Sequence, residues 1–393
     1  MFLQAPQLNL IILADGIYPI HLGGMQKHSW YLAKSLAALG IKTKVYFPGK
    51  ESDSQIINNS FSKSEKENLT LIPITPSPSI NFPGHYLFEN YLFSNRLLSS
   101  LEKEDKPVFV YAQGFSAWAL LNRRRKLNNL TSTPIGINFH GLEMFQKAPN
   151  FKIKLQHLFL RPATKFNIKR ADVLFSLGGK LTEIHKKIAP KTAISEIPIG
   201  ITPDWLVRPV ELKTNNSKRF VFIGRYERRK GIEELSYVLK TSNHSIDNAE
   251  FHFIGPIPEN KQIKNLPNIK YYGAINDENR IKEILRNCDV LICPSWSEGM
   301  PTVILEAMAS GCAIIATDVG AVSEQVDASN GILIEPGNKP ELKAAIERMI
   351  ALPAEQLLEM KKASIKRVEE KFLWDKVAEL TISEIKKIIK NCS

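Results

Sequence analysis

The sequence predicts an α/β protein made of two separately wound parallel sheets. Three observations carry this. The chain has 393 residues, too many for one ordinary core and suited to two domains of roughly 150–200 residues each. Short apolar runs alternate with amphipathic helical stretches almost throughout, the rhythm of βαβ units whose strands are covered on both faces. The rhythm breaks at 198–218, where Pro198, Gly200, Pro203 and Pro209 precede a polar run at 213–218.

In the first half, strands are expected at 8–14, 44–47, 69–74, 108–111, 135–139, 173–177 and 194–197. Helices are expected at 25–39, 86–103, 116–127 and 180–188. After the break come strands at 220–223, 251–254, 269–272, 290–293, 313–316 and 332–334. Helices fit at 232–239, 280–286, 302–309 and 341–350, with helical periodicity continuing over 355–371 and 373–390. The expected domains are 1–205, to which a C-terminal helix over 373–393 returns, and 206–372. Two such Rossmann-like sheets would face each other across a cleft lined by the loops that follow the strands.

Composition bounds the function. At 44% hydrophobic content the chain is neither disordered nor fibrous. Its net charge of +12 points to an anionic partner. Residues 1–205 carry 25 basic and 14 acidic side chains, whereas 206–393 carry 27 and 26, so the excess lies in the first half. The stretch 146–170 has seven basic residues and no acid, interleaved with Phe151, Leu155, Leu158, Phe159 and Phe166; Arg123–Lys126 is a second cluster. This pattern fits either an anionic membrane surface or a solvated face that aids solubility. A nucleic-acid binder is disfavoured, because aromatic platforms, zinc motifs and helix-turn-helix signatures are lacking. Cys288, Cys293, Cys312 and Cys392 are read as reduced thiols of a cytoplasmic protein, the first three buried. No apolar run approaches the ~18 residues of a membrane span, and the N-terminus does not resemble a signal peptide.

The most specific local feature runs from Ser295 to Gly311. Glu298 lies in the loop before a helix that starts near Pro301, and Glu306 lies more than one turn inside it. Carboxylates accept two hydrogen bonds and suit the adjacent hydroxyls of a ribose or hexose. Gly299 admits a ligand close to the backbone. The plainer reading is a helix-start acid and an ordinary solvated glutamate. Arg225 and Lys230 follow the strand at 220–223 and offer cations to a phosphate; Arg228 and Arg229 read as solvated. Gly23-Gly24, after the first strand, is either a tight turn or a set of amides facing an anion. His140 ends the strand at 135–139; His28, His21 and Asp15 are weaker candidates. Neither a G-x-G-x-x-G fingerprint after a strand nor a P-loop is present.

Glu298-Gly299 and Glu306-Ala307-x-Ala309-x-Gly311, with 316–320 behind them, resemble the signature of glycosyltransferase family 4, retaining enzymes of the GT-B fold. Gly224-Arg225-x-x-x-x-Lys230-Gly231 resembles its G-R-x-x-x-x-K-G element. Gly23-Gly24-Met25, His140-Gly141, Asn330-Gly331 and Pro336-Gly337 fall in the family order across nearly the whole chain. The resemblance implies a GT-B fold and a retaining hexosyltransferase; no acidic D-x-D cluster follows a strand, so no essential metal is expected. Its donor would be a UDP- or GDP-sugar and its acceptor a hydroxyl of a glycan or lipid-linked molecule in cell-surface polysaccharide or glycolipid synthesis. It implies no other cofactor, and an enzyme in the cytoplasm or at the inner face of the membrane. By resemblance, Glu306 binds the ribose, Glu298 holds the donor sugar, and Gly299, Met300 and Pro301 shape that pocket. Arg225, Lys230 and Gly224 serve the diphosphate, Gly23 and Gly24 the donor, His140 the transferred sugar, and Tyr272, Gly273, Ala274 and Ile275 the base. Ile199, Thr202, Met300 and Thr302 depart from residues frequent in the family. The competing implication is a GT-B nucleotide-sugar binder or epimerase that transfers nothing.

Overall fold

The computed structural model describes residues 8–21, 23–58, 61–78, 84–104, 107–126, 130–212, 214 and 217–392. They fall into two compact units: 1–140, 156–200 and 374–393 in one, 141–155 and 201–373 in the other.

The first unit holds β1 (Asn9–Leu13), α1 (Gly24–Ala38), β2 (Lys42–Pro48), α2 (Glu51–Asn58), α3 (Lys63–Asn68), β3 (Leu69–Ile74), α4 (His85–Leu101), β4 (Phe109–Gln113), α5 (Trp118–Arg123) and β5 (Ile135–Asn138). The helix α6 (Phe151–Arg170) leads back into it, followed by β6 (Val173–Ser176), α7 (Gly179–Ile188) and β7 (Ala193–Glu196). The strands pair in parallel in the order β3-β2-β1-β4-β5-β6-β7. Burial on both faces explains their near-continuous apolar character. Phe109, Tyr111 and Phe175 pack at the centre, with Tyr111 stacked on Phe175 at 4.8 Å. Gly136 sits in β5 because an added Cβ would lie 2.3 Å from the Phe175 ring.

Three helices of this unit were not expected from periodicity. α2 and α3 are short, although Ser62 and Glu65 form a capping box that was visible in the sequence. α6 is hidden by Pro162 in its interior and by apolar residues on several faces. Conversely α5 ends at Arg123, before the expected limit of 127, which lies outside the described residues. The chain tightens there into a 3-10 turn over Arg124–Lys126, where the Arg124 guanidinium holds both oxygens of Asp172, at 2.8 and 2.7 Å, and the Thr133 carbonyl at 2.8 Å.

The second unit holds β8 (Lys218–Ile223), α8 (Ile232–Thr241), β9 (Ala249–Ile254), β10 (Ile269–Tyr271), α9 (Glu278–Arg286), β11 (Val290–Cys293), α10 (Thr302–Ala309), β12 (Ala313–Thr317), α11 (Val322–Gln325), β13 (Gly331–Ile334), α12 (Lys339–Ala351) and α13 (Ala354–Lys371). The order is β10-β9-β8-β11-β12-β13, again parallel. Phe220 on Phe251 and Phe222 on Phe253 fill the core. A buried ion pair, Lys361 to Asp289 at 3.0 Å, ties α13 to the start of β11. Cys288, Cys293 and Cys312 are buried free thiols. The helix α14 (Trp374–Cys392) belongs to the first unit, packs on α1, and lays the Trp374 ring over Gly200. Residues 141–155 belong to the second unit, whereas the sequence boundary at 205 had placed them in the first. Positions 213, 215 and 216 of the expected linker lie outside the described residues. In both sheets the strand order reverses beside the strand that comes first in sequence, at β1/β4 and at β8/β11, where open α/β sheets bind ligands at the carboxyl ends.

Candidate functional site

In the second unit, the loops after β8 and β11 meet at that reversal. The β8 loop turns through a short 3-10 segment, Arg228–Lys230, before α8 begins. Lys230 therefore precedes the helix rather than opening it. Gly231 caps the turn at φ +70°, and a Cβ there would lie 1.8 Å from the Pro294 carbonyl oxygen. Only glycine lets the two loops come so close.

Glu298 is the centre of the contact. It is 6% exposed. Its carboxylate accepts from Lys230 Nζ at 2.7 Å, Ser295 Oγ at 2.8 Å and Arg229 Nη1 at 3.2 Å. Burial pushes the carboxyl pKa upward, but Lys230 and Arg229 outweigh it and hold the group below the usual carboxylate range. Glu298 is therefore an ionised, buried and compensated carboxylate. Its peptide is also fixed: Gly320, at φ +56°, leaves room for the Glu298 carbonyl oxygen, which a Cβ would approach to 2.2 Å. Ala321 N donates to the Gly299 carbonyl at 2.7 Å. The neighbouring Cys293 thiol is pushed up to about 11 by burial and by Glu298, so it is no nucleophile at neutral pH.

The four basic side chains of this turn separate. Arg228 grips Glu234 with both Nη atoms, at 2.7 and 2.5 Å, and lies 5.1 Å from the Trp296 ring; it holds the loop. Arg229, expected to be solvated, instead bonds Glu298 and the Ser297 carbonyl, the latter at 3.1 Å. Arg225 has a side chain 70% exposed and pairs with Glu227 at 2.9 Å, away from Glu298. Only Lys230, of the two cations singled out from the sequence, is in direct contact with the glutamate.

The helix α10 begins at Thr302, with Pro301 as its N-cap and the Pro301 carbonyl accepting from Gln325 Nε2 at 3.1 Å. Met300 is buried. Glu306 shares a half-exposed helix edge with Thr302 and Val303, while Ile304, Leu305, Ala307 and Met308 face the core. Glu306, more than one turn inside the helix as expected, therefore lies on its partly exposed edge and not in the core. Tyr272 follows β10, its hydroxyl bonded to His252 Nδ1 at 2.8 Å. Gly273 and Ala274 are exposed and Ile275 half-buried, at the same carboxyl edge of the sheet as Gly224.

In the first unit, Gly23 precedes α1 and Gly24 is its first residue. Gln26 Nε2 donates to Asp15 at 3.3 Å, and burial raises the Asp15 carboxyl to about 7. His140 follows β5 in the left-handed region at φ +55°, a strained place for a non-glycine. Its backbone N–H is held by Asn138 Oδ1 at 2.7 Å. Both ring nitrogens are shut from solvent without a hydrogen bond, and burial drops the imidazole to about 3. His28 meets that ring edge-on at 4.5 Å, contacts the Tyr111 hydroxyl at 3.3 Å, and is also held neutral by burial and by His140. Sequence reading ranked His28 below His140; the structure puts them in one neutral cluster. Among the described residues no group of three or more His, Cys, Asp or Glu is arranged to hold a metal ion.

Two family models match the chain: Glycosyltransferase Family 4 over residues 22–205 and Glycosyl transferases group 1 over 204–367. One curated relative, "Putative teichuronic acid biosynthesis glycosyltransferase TuaC" of Bacillus subtilis, is 32% identical over 47% of this chain and 49% of its own. The N,N'-diacetylbacillosaminyl-diphospho-undecaprenol alpha-1,3-N-acetylgalactosaminyltransferase of Campylobacter jejuni is 28% identical over 53% of this chain and 59% of its own. The chain thus spans about half the length of these relatives. The crystal structure of Anabaena Alr3699/HepE in complex with UDP superposes with a TM-score of 0.68 at 15% identity, covering 97% of this chain and 100% of that one.

Proposed function

Because the chain belongs to glycosyltransferase family 4 and has the GT-B fold, we propose that it is a retaining glycosyltransferase. It moves a hexose-type sugar from a UDP- or GDP-sugar to a hydroxyl of a glycan or lipid-linked acceptor, without a metal. The observation that carries this reading is the ionised Glu298 carboxylate held by Lys230 and Arg229 where the β8 and β11 loops meet.

The chemistry follows from charge. Breaking the bond from the anomeric carbon to the diphosphate leaves the electron pair on a phosphate oxygen and positive character on the sugar ring. Lys230 and Arg229 face the incoming phosphate from the side of Glu298, and Arg225 can swing from Glu227 because it is exposed. Glu298 orients hydroxyls of the donor sugar, and Gly299, Met300 and Pro301 wall that pocket. Glu306 takes the ribose hydroxyls from its half-exposed edge, and Tyr272–Ile275 flank the base. His140, neutral at physiological pH, is the residue proposed to meet the transferred sugar, and Gly23 and Gly24 offer backbone amides. The acceptor oxygen bonds the anomeric carbon on the face the phosphate leaves, and its proton passes to the phosphate oxygen. UDP in the Anabaena structure supports a nucleotide donor.

The lipid-linked substrate in the Campylobacter relative's name and the surface of α6 support a membrane-proximal acceptor at the cytoplasmic face. Phe151, Leu155, Leu158 and Phe159 are 79%, 46%, 47% and 69% exposed. At about 100° per residue they share one arc of the helix, flanked by Lys152 on one side and by Lys154, Arg161 and Lys165 on the other. No helix is long and apolar enough to cross a membrane among the described residues.

Thermal-shift measurement against UDP-glucose, UDP-N-acetylglucosamine, GDP-mannose and ADP-glucose is expected to single out one donor. Transfer of that sugar should persist in EDTA and yield the same anomeric configuration as the donor; an inverted product or full loss in EDTA overturns the mechanism. Liposome flotation should require anionic lipid and weaken in Phe151→Ser with Phe159→Ser. Equal flotation with neutral lipid removes the membrane claim.

A further inference from the structure

A contact made from far along the chain fixes the main chain of Glu298. Gln146 lies 152 residues earlier, in the part of the sequence before α6 that belongs to the second unit. Its carboxamide meets the main chain on both sides of the Glu298 Cα: Nε2 donates to the Glu298 carbonyl at 2.7 Å, and Oε1 accepts from the Glu298 N–H at 3.4 Å. A primary amide used this way copies the pairing of a neighbouring strand. That matters because Glu298 sits between β11 and α10, where neither a ladder nor a helix supplies backbone partners. The adjacent Lys147 ties the same segment down twice, donating to the Pro336 carbonyl at 2.9 Å and lying 5.4 Å from the Trp296 ring.

We infer that Gln146 is a positioning residue for Glu298, setting where the glutamate's carboxylate points when the donor sugar is bound. The inference rests on the reading of Glu298 as the sugar-binding acid. The carboxylate has its own partners in Lys230, Arg229 and Ser295, which fix its charge. Arg229 also holds the preceding Ser297 carbonyl, at 3.1 Å, but none of the three bonds the Glu298 carbonyl. Gly320 bounds the Glu298 carbonyl on one side, and Gln146 bounds it on the other. The one carboxamide thus restrains the two successive peptide groups that flank the Glu298 Cα. Gln146 touches neither carboxylate oxygen in this arrangement, so its effect reaches the sugar only through the backbone.

The test separates hydrogen bonding from space filling. Gln146→Met keeps the length and loses both bonds; Gln146→Asn keeps the amide and withdraws it by one methylene, roughly 1.5 Å. The measurement uses the full chain with the nucleotide sugar that stabilises it most among the four named above. Release of nucleoside diphosphate is followed with water as acceptor, and binding of UDP and GDP alone is measured beside it. Both variants are expected to lose turnover by about 10- to 100-fold while their affinity for the nucleoside diphosphate is unchanged, since a small misplacement of an orienting group acts on the reacting geometry. Wild-type turnover in a folded Gln146→Met overturns the inference, because packing alone then suffices. Loss of UDP and GDP binding in parallel with turnover also overturns it, because the effect is then a general loosening of the unit. If Gln146→Met does not fold, Gln146→Asn decides by the same two readouts. Glu298→Gln is run as the reference: full activity there defeats the reading of Glu298 itself, whereas an inactive Glu298→Gln beside a fully active Gln146→Met defeats only the inference.

Discussion

The cluster around Glu298 in the second unit and the cluster around His140 in the first are built on opposite electrostatic plans. Glu298 is buried and charged, and two cations and a hydroxyl meet its carboxylate. His28 and His140 are buried and neutral, and both imidazole nitrogens of His140 have no hydrogen-bond partner. A buried charge is tolerated only with compensation, and a buried weak base responds instead by giving up its proton. The first cluster is therefore sensitive to removal of a partner, the second to pH.

The largest expected effect removes a partner. Lys230→Met leaves Glu298 with Arg229 and Ser295, and should lower folding stability by about 2–4 kcal/mol and raise the glutamate's pKa. Denaturant unfolding at pH 7 measures it, and a change below the error of the method would mean that Arg229 compensates alone. Restoring stability by adding Glu298→Gln to the same chain would show that the cost lay in the uncompensated charge.

The next effect is the pH response of the histidines. An unfolded histidine titrates near 6.5, while folded His140 titrates at about 3. Between those values the unfolded chain binds the extra proton, so the contribution is complete above 6.5 and is lost as pH falls through the window. Asp15 works the other way: its folded value of about 7 lies above 3.8, so its contribution is complete below 3.8 and fades as pH rises toward 7. His140→Asn keeps a residue type that accepts the left-handed backbone and removes the titration. It should shrink the stability loss between pH 7 and pH 5 by about 2 kcal/mol. An unchanged pH profile would mean that His140 is not the group that resists protonation.

The smallest effect concerns the exposed arginine. Arg225→Ala breaks only a pair with Glu227 in which the guanidine side chain is 70% exposed, and should change stability by less than about 1 kcal/mol. It should nevertheless weaken nucleoside-diphosphate binding, measured by titration calorimetry, several-fold. Arg228→Ala should do the reverse, loosening the unit through Glu234 while sparing the ligand. If the two variants behave alike, the division between holding the loop and holding the phosphate is wrong.

Much of this architecture was legible in the sequence because it depends on local period and order. Apolar runs marked the strands within one or two residues, and 69–74, 290–293 and 302–309 coincide with β3, β11 and α10. Lys230 and Glu298 were each expected after a strand of the same sheet, but their direct contact was not. What the sequence could not reveal shares one physical cause: it depends on which side chains meet after the chain has folded. Arg228 and Arg229 are chemically equivalent neighbours, and only their directions from a single 3-10 turn send one to Glu234 and the other to Glu298. Glu306 stands among apolar letters, and only the direction it takes from α10 puts it on a half-exposed edge. Gln146 carries no periodic or motif signal at all. Composition and spacing determined the two parallel sheets and the acids and bases offered by their loops. The tertiary fold decided which of these groups are compensated, which are aimed, and which residue 152 positions away holds the aim.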